Sequence, residues 1–169
     1  MSAGRLDRDA LRERFELIHP IVEDYQVAPV PSSFNWKEVV LDPVELTPTS
    51  DGSPVETFYL VAFRSLRKED ADIDRLIELD EVVNQDVKKR PGFLCYFKGE
   101  LDGAKNCVSI CVWTDRPAAL QAVSATPHAN AAALTSSTYV HYILERWNLH
   151  VFADRLEFQR LDETKPVYT

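Results

Sequence analysis

The chain contains several continuous runs of apolar residues, each about as long as a β-strand. Continuous apolar runs of this kind are typical of strands that are buried on both faces. A shorter run near the C-terminus predicts an edge strand. The predicted core strands cover residues 57–66, 93–98, 107–113 and 139–149, and the edge strand covers residues 156–161.

Two helices are predicted between these strands, because apolar residues recur there at every third or fourth position. The first covers residues 72–87, with Asp70 or Asp72 as its N-cap. The second begins after Asp115, whose side chain suits an N-cap, and Pro117 is tolerated in its first turn.

The order of these elements is strand, helix, strand, strand, helix, strand. It predicts an α+β protein with a ferredoxin-like βαββαβ core, in which helices cover one face of an antiparallel sheet. The second helical stretch carries a further start signal at residues 126–127, where a threonine precedes a proline.

The first third of the chain has a different pattern and predicts an extension to this core. A helix is predicted over residues 7–25, followed by a stiff proline-containing linker at 28–33 and a short strand at 34–41. We therefore divide the chain into an N-terminal extension, residues 1–55, and a ferredoxin-like domain, residues 56–169.

The predicted strands are apolar on both faces. Leu60 and Ala62 alternate with Val61 and Phe63, so helices on one face leave a second apolar face to be covered. A second copy of the chain is the simplest cover, because two such sheets close a dimeric α/β barrel. The N-terminal extension is the competing cover. We expect a homodimer.

The chain is acidic, with a formal net charge of -8 over 169 residues. Such a chain has no overall attraction for phosphate backbones or anionic lipid, so we expect neither nucleic-acid nor membrane-surface binding. No apolar stretch approaches the roughly 20 residues of a membrane-spanning helix, and the N-terminus lacks the apolar segment of a secretory signal. We therefore expect a cytoplasmic location.

All three cysteines, Cys95, Cys107 and Cys111, lie in apolar, strand-like runs. An odd number of thiols in such positions predicts buried free cysteines and no disulfide framework. Cys107 and Cys111 would lie about 13 Å apart on one face of a strand, too far for one zinc ion. We expect the protein to need no metal, haem or other cofactor.

The first predicted helix of the core carries many acidic side chains. Their spacing spreads charge around a solvated face and the N-terminal turn, so we expect neither a catalytic carboxylate pair nor a metal site there. These residues are Asp72, Asp74, Glu78, Asp80 and Glu81.

Residues 111–120, with the sequence CVWTDRPAAL, resemble the strand-to-helix passage of the dimeric α/β barrel superfamily. The Thr-Pro-His triplet at 126–128 and the run at 139–149 also resemble this superfamily. It includes antibiotic-biosynthesis monooxygenases, haem-degrading enzymes, stress-responsive barrel proteins and plant polyketide cyclases. With its FRS, PHANAA and YILERWNL segments the chain is also similar to an uncharacterised fungal family. The resemblance covers residues 57–161 and implies the ferredoxin-like fold.

In the plant cyclases, the histidine that matches His128 works as a general base beside a tyrosine six residues earlier, where this chain has Ala122. In haem-degrading members a histidine near the same place binds iron, but this chain offers no basic pair for the haem propionates. The start of a helix favours a neutral imidazole, which suits a base. The resemblance therefore implies His128 as catalytic base, with Tyr96 or His141 replacing the missing tyrosine.

The other candidate site residues lie on the predicted strands. Tyr96 has a hydroxyl that can polarise a carbonyl, and Trp113 has a large ring, so both would shape a pocket between sheet and helices. Arg64 and His141 are further candidates for substrate binding, Arg64 for an anionic group. The alternative for each is a structural role in packing or in an ion pair.

Two functions follow as hypotheses. The first is a cofactor-independent enzyme that cyclises, deprotonates or oxygenates a small aromatic or polyketide-like substrate, with His128 as base. The second is a non-catalytic, stress-related or small-molecule-binding dimeric protein. A deep, partly apolar pocket that reaches His128 would favour the enzyme.

Overall fold

The computed structural model describes residues 7–42, 45–123 and 135–162. Five strands form one antiparallel sheet in the order β2-β3-β1-β4-β5. In chain order the elements are α1 (Arg8–Phe15), α2 (Val30–Ser33), α3 (Trp36–Val40), β1 (Glu56–Arg67), α4 (Ile73–Val87), β2 (Phe93–Phe97), β3 (Asn106–Trp113), α5 (Arg116–Val123), α6 (Thr135–Thr138), β4 (Tyr139–Val151) and β5 (Leu156–Asp162).

The central strand β1 pairs with β3 on one side and β4 on the other, with Tyr59 opposite Trp113 and Leu66 opposite His141. This strand order, with a helix between β1 and β2 and another between β3 and β4, is that of the ferredoxin-like fold. The predicted α+β class and core strands are confirmed. The predicted edge strand is β5, which pairs with β4.

Both predicted helices of the core begin at the predicted caps. An oxygen of Asp72 accepts a hydrogen bond from the Arg75 backbone at 3.0 Å, which caps α4. An oxygen of Asp115 accepts one from the Ala118 backbone at 2.8 Å at the start of α5. Each cap satisfies a backbone donor that the first turn of a helix leaves unpaired.

The extension departs from its predicted elements. The first helix ends at Phe15 and not near residue 25, because the chain turns before Pro20 and then bends toward the sheet. The predicted strand at 34–41 is wrong. Its apolar residues Trp36, Val39 and Val40 follow helical spacing and are buried by α3, and the predicted linker contains the short helix α2.

This extension covers the face of the sheet that α4 and α5 leave open. Phe15, fully buried, contacts Phe58 of β1 edge-to-face with ring centroids 5.1 Å apart. Trp36 donates a buried hydrogen bond of 2.9 Å to the Val30 carbonyl. Side chains of α1, α3 and the strands β1 to β4 form one apolar core. The competing cover is therefore the one observed, and the homodimer stays a prediction.

Candidate functional site

A cavity of about 380 Å³ lies on the opposite face of the sheet, between the strands and α4. It exists because α4 packs loosely, with only Val87 buried among its residues. Val123 of α5 and Thr135 of α6 close one side. The volume falls within the usual range for small-molecule pockets, roughly 300–1,000 Å³.

The two walls of the cavity differ in chemistry. The strands supply aromatic rings from Phe63, Tyr96, Tyr139 and Tyr142. Tyr139 and Tyr142 stack at 5.3 Å between centroids, and Phe63 lies 6.3 Å from Tyr142. The helix α4 supplies the facing aliphatic wall. Its side chains include Leu76, Ile77, Leu79 and Val83.

A chain of three polar side chains crosses one edge of this cavity. The Tyr96 hydroxyl donates a hydrogen bond of 2.9 Å to one oxygen of Asp80. The other oxygen of Asp80 pairs with the Lys98 ammonium at 2.7 Å. All three residues line the cavity. The ammonium therefore orients the carboxylate, and the carboxylate orients the phenol.

Burial disfavours ionisation of the phenols that line the cavity. It raises the pKa of Tyr96 well above that of a free tyrosine, and the charge of Asp80 raises it further. Burial also raises the pKa of Tyr139 and of Tyr142. These hydroxyl groups therefore stay protonated to a higher pH than that of a free tyrosine.

Two further polar groups reach the cavity without a partner among the described residues. The Arg67 Nε–H is buried and donates no hydrogen bond, and the buried Asn84 Oδ1 accepts none. Buried polar atoms are almost always paired in folded proteins. These two groups are therefore candidates for contact with a ligand.

A family model of the PB2B2.08-like proteins matches residues 4–162. The chain belongs to the PB2B2.08-like family. The match includes the extension as well as the sheet, so the covered sheet face lies within the family's common region. None of the curated proteins compared with the chain matches it.

Several solved structures are similar to this PB2B2.08-like chain in fold. The cofactor-independent oxygenase SnoaB from Streptomyces nogalater is 17% identical, with 55% of this chain and 90% of SnoaB covered and a TM-score of 0.42. Rv0793 from Mycobacterium tuberculosis is 14% identical, with 65% and 98% covered and a TM-score of 0.46. An antibiotic biosynthesis monooxygenase is 16% identical, with 63% and 99% covered and a TM-score of 0.43.

The sequence-predicted site residues lie in different parts of the structure. Tyr96 lines the cavity. Trp113 lies on the same face of the sheet but is buried at its end, against Phe93, with ring centroids 5.4 Å apart. His128 lies outside the described residues, between Val123 and Thr135, which both line the cavity.

Arg64 and His141 lie on the opposite face of the sheet from Tyr96. Arg64 donates to Glu145 at 2.6 Å and to the carbonyls of Gln26 and Ala28 at 2.6 and 2.8 Å. It therefore fastens the extension to the sheet. His141 is opposite Leu66, and directly opposed residues of an antiparallel pair share a face. Neither side chain reaches the cavity.

The sequence analysis missed Arg67, Asp80 and Asn84. Asp80 was assigned to a solvated face, but its side chain is only 27% exposed and it bonds to Tyr96 and Lys98. A signal was present, because Asp80 lies four residues after Leu76 and Asn84 follows four later. A carboxylate and an amide on the apolar stripe of a helix indicate polar groups that face the sheet.

No group of three or more potential metal ligands occurs in residues 7–42, 45–123 and 135–162. Within the same ranges, no helix has the length and apolar character needed to cross a bilayer.

Proposed function

We propose that this chain is a cofactor-independent enzyme that acts on a small aromatic or polyketide-like molecule bound between α4 and the sheet. The observation that carries the proposal is the Tyr96–Asp80–Lys98 chain at the edge of an apolar cavity. A hydrogen-bonded phenol and carboxylate in a desolvated pocket are groups that transfer protons during catalysis.

The chemistry that this arrangement supports begins with removal of a proton from a carbon next to a substrate ketone. The Tyr96 oxygen takes that proton while its own proton passes to Asp80, 2.9 Å away. The substrate becomes an enolate. The enolate then attacks a carbonyl of the same molecule in a cyclisation, or reacts with O2 in an oxygenation. The apolar walls exclude water from the reacting carbon.

His128 remains our proposal for a second base. The sequence supports this role through the helix start at residues 126–128 and through the resemblance to plant cyclases. A His128→Ala variant with full turnover would remove His128 from the mechanism and leave the Tyr96–Asp80 step in place.

A suitable test uses anthrone, whose CH2 group is acidic because of the ring ketone. Its oxygenation consumes an equal amount of O2 and yields anthraquinone and water. We expect turnover by the purified protein without added cofactor. We also expect losses of about a hundredfold in Tyr96→Phe and Asp80→Asn. Tyr142→Phe, which removes another hydroxyl of the same cavity, is the matched control and should change turnover only a few-fold.

Full turnover by Tyr96→Phe would contradict the proton relay. Anthrone binding without turnover would favour the second candidate, a non-catalytic, stress-related or small-molecule-binding protein. That candidate has its own support, because the unpaired Arg67 Nε–H and Asn84 Oδ1 suit contact with a ligand whether or not a reaction follows. Mass spectrometry of small molecules retained by the native protein would identify the ligand in either case.

The proposed enzyme is a cytoplasmic homodimer. The extension occupies the sheet face on which the dimer was predicted, so the two copies would have to meet on another surface. Light scattering at micromolar concentration measures the mass in solution, and a monomer mass would end the dimer proposal.

A further inference from the structure

Arg67 is a cation of the cavity wall. It is the last residue of β1, on the face of the strand that also carries Phe63 and Ser65, and all three line the cavity. Its backbone is fixed by a hydrogen bond of 3.1 Å to the Lys105 carbonyl. The sheet therefore fixes the position of this residue at one end of the cavity wall.

Two of the partly buried arginines have carboxylate partners, whereas Arg14, like Arg67, has none among the described residues. Arg64 pairs with Glu145 at 2.6 Å and Arg90 pairs with Asp86 at 2.8 Å. Within the part of the chain that the structure describes, Arg67 has no ion pair, and its buried Nε–H has no acceptor. Acidic residues outnumber basic ones by 27 to 19, so a shortage of carboxylates does not explain this.

Asn84 supplies a polar group toward the other end of the cavity. Strands β1 and β2 are both antiparallel to β3, so they are parallel to each other, and α4 is the crossover between them. The helix therefore runs back from the end of β1 that carries Arg67, and Asn84 lies near its C-terminal end. A ligand hydroxyl both donates and accepts, so it suits either orientation of the amide.

The space between these two groups has the chemistry of a ring-binding site. Tyr139 and Tyr142 stack beside it, and Tyr96 lines the same wall. Aromatic rings bind planar aromatic ligands through stacked and edge-on contacts. Arginine in particular matches the planar, two-oxygen geometry of a carboxylate.

We infer that the cavity takes a hydroxylated aromatic acid, with its carboxylate on Arg67, its ring between the strand wall and α4, and its hydroxyl on Asn84. This inference rests on the proposed function only in taking the cavity as the ligand site. It adds the substrate class, an acid.

The probe is 6-hydroxy-2-naphthoic acid, a rigid fluorescent molecule with a carboxylate and a hydroxyl at opposite ends. Its two comparators each lack one group: 2-naphthol has no carboxylate, and 2-naphthoic acid has no hydroxyl. Fluorescence titration at one fixed ionic strength gives the three dissociation constants. We expect the hydroxynaphthoate to bind at least about tenfold more tightly than 2-naphthol.

The Arg67→Met variant removes the charge and the Nε–H but keeps the length of the side chain. We expect it to lose this preference for the acid and to keep its affinity for 2-naphthol. Arg67→Lys keeps the charge without the planar fork, so it should lose only part of the preference. Asn84→Leu should weaken hydroxynaphthoate to the level of 2-naphthoic acid. Arg75→Met is the matched control, since it removes an equal charge from an exposed position on α4.

Equal affinity of the wild-type protein for hydroxynaphthoate and 2-naphthol would overturn the acid inference and leave the cavity as a ligand site. So would an Arg67→Met or Arg67→Lys variant that changes both affinities alike. Should Arg67→Met fail to fold, Arg67→Lys still gives this comparison. Failure of all three compounds to bind would overturn the inference together with the proposed cavity site.

Discussion

The two faces of the sheet differ in how tightly they are covered. On β1, the side chains of Phe58, Leu60 and Ala62 point to the extension and are at most 1% exposed. The alternate residues Phe63 and Arg67 point to α4 and are only partly buried. The same strand therefore supplies a closed core on one side and the wall of a cavity on the other.

The difference comes from what covers each face. The extension brings Phe15, Phe34 and Trp36 onto the sheet, and Arg64 fastens its backbone through two carbonyls. The amphipathic α4 instead faces the sheet across a gap that contains Asp80 and Asn84. Stability should therefore depend on the extension face, and ligand binding on the α4 face.

The largest expected effect is on the extension face. Phe15→Ala removes a fully buried ring from its contact with Phe58, and we expect the free energy of unfolding to fall by about 3–5 kcal/mol. Leu76→Ala, on the cavity wall, should cost less than about 1.5 kcal/mol because its side chain is only partly buried. Denaturant unfolding measures both. Equal costs would show that the faces are packed alike.

The next effect concerns the ion pair that fastens the extension. Arg64→Met leaves Glu145 buried without its partner, and we expect a loss of about 3 kcal/mol in unfolding free energy. The double variant Arg64→Met/Glu145→Leu should recover about 1 kcal/mol or more, since the unpaired charge is gone. A single variant as stable as the wild type would mean that this contact does not hold the extension in place.

A smaller effect separates the thiols of the two faces. Burial raises the pKa of Cys95, in the extension core, to about 12, and it also raises the pKa of Cys107, which lines the cavity. Only the thiolate reacts with iodoacetamide, so labelling of Cys107 should rise about tenfold per pH unit up to pH 9 without levelling. Bound hydroxynaphthoate should slow labelling of Cys107 and leave Cys95 unchanged. Equal protection of both thiols would argue against separate faces.

The sequence predicted the core better than the extension, for a physical reason. Continuous apolar runs identify buried strands, and Asp72 and Asp115 mark helix starts through local hydrogen bonds. Residues 34–41 contain too few positions to separate a strand period from a helical one. The secondary structure of the extension depends on its packing against the sheet. Such tertiary contacts cannot be read from the local sequence.

The site was predicted only in part. Tyr96 could be predicted because it is a hydroxyl-bearing side chain in an otherwise apolar strand, and the structure places it on β2, facing α4. The acidic residues around Asp80 indicate a solvated face, and its bond to Tyr96, which spans 16 positions, is not visible in the local sequence. Arg64 lies inside the predicted strand at 57–66, whereas Arg67 lies one residue beyond it and is not a sequence-predicted site residue. The structure extends β1 to Arg67, which lines the cavity, and turns Arg64 toward the extension.

Hydrogen exchange of the native protein, with and without saturating 6-hydroxy-2-naphthoic acid, tests most directly whether the cavity face binds ligand and the extension face does not. We expect the amides of α4 to exchange at least about tenfold more slowly with the compound bound. The ligand would fill the space between the sheet and this helix, in which only Val87 is buried. The amides of α1 and α3 should not change. Protection confined to α1 and α3, or no protection of α4, would contradict a ligand site between α4 and the sheet.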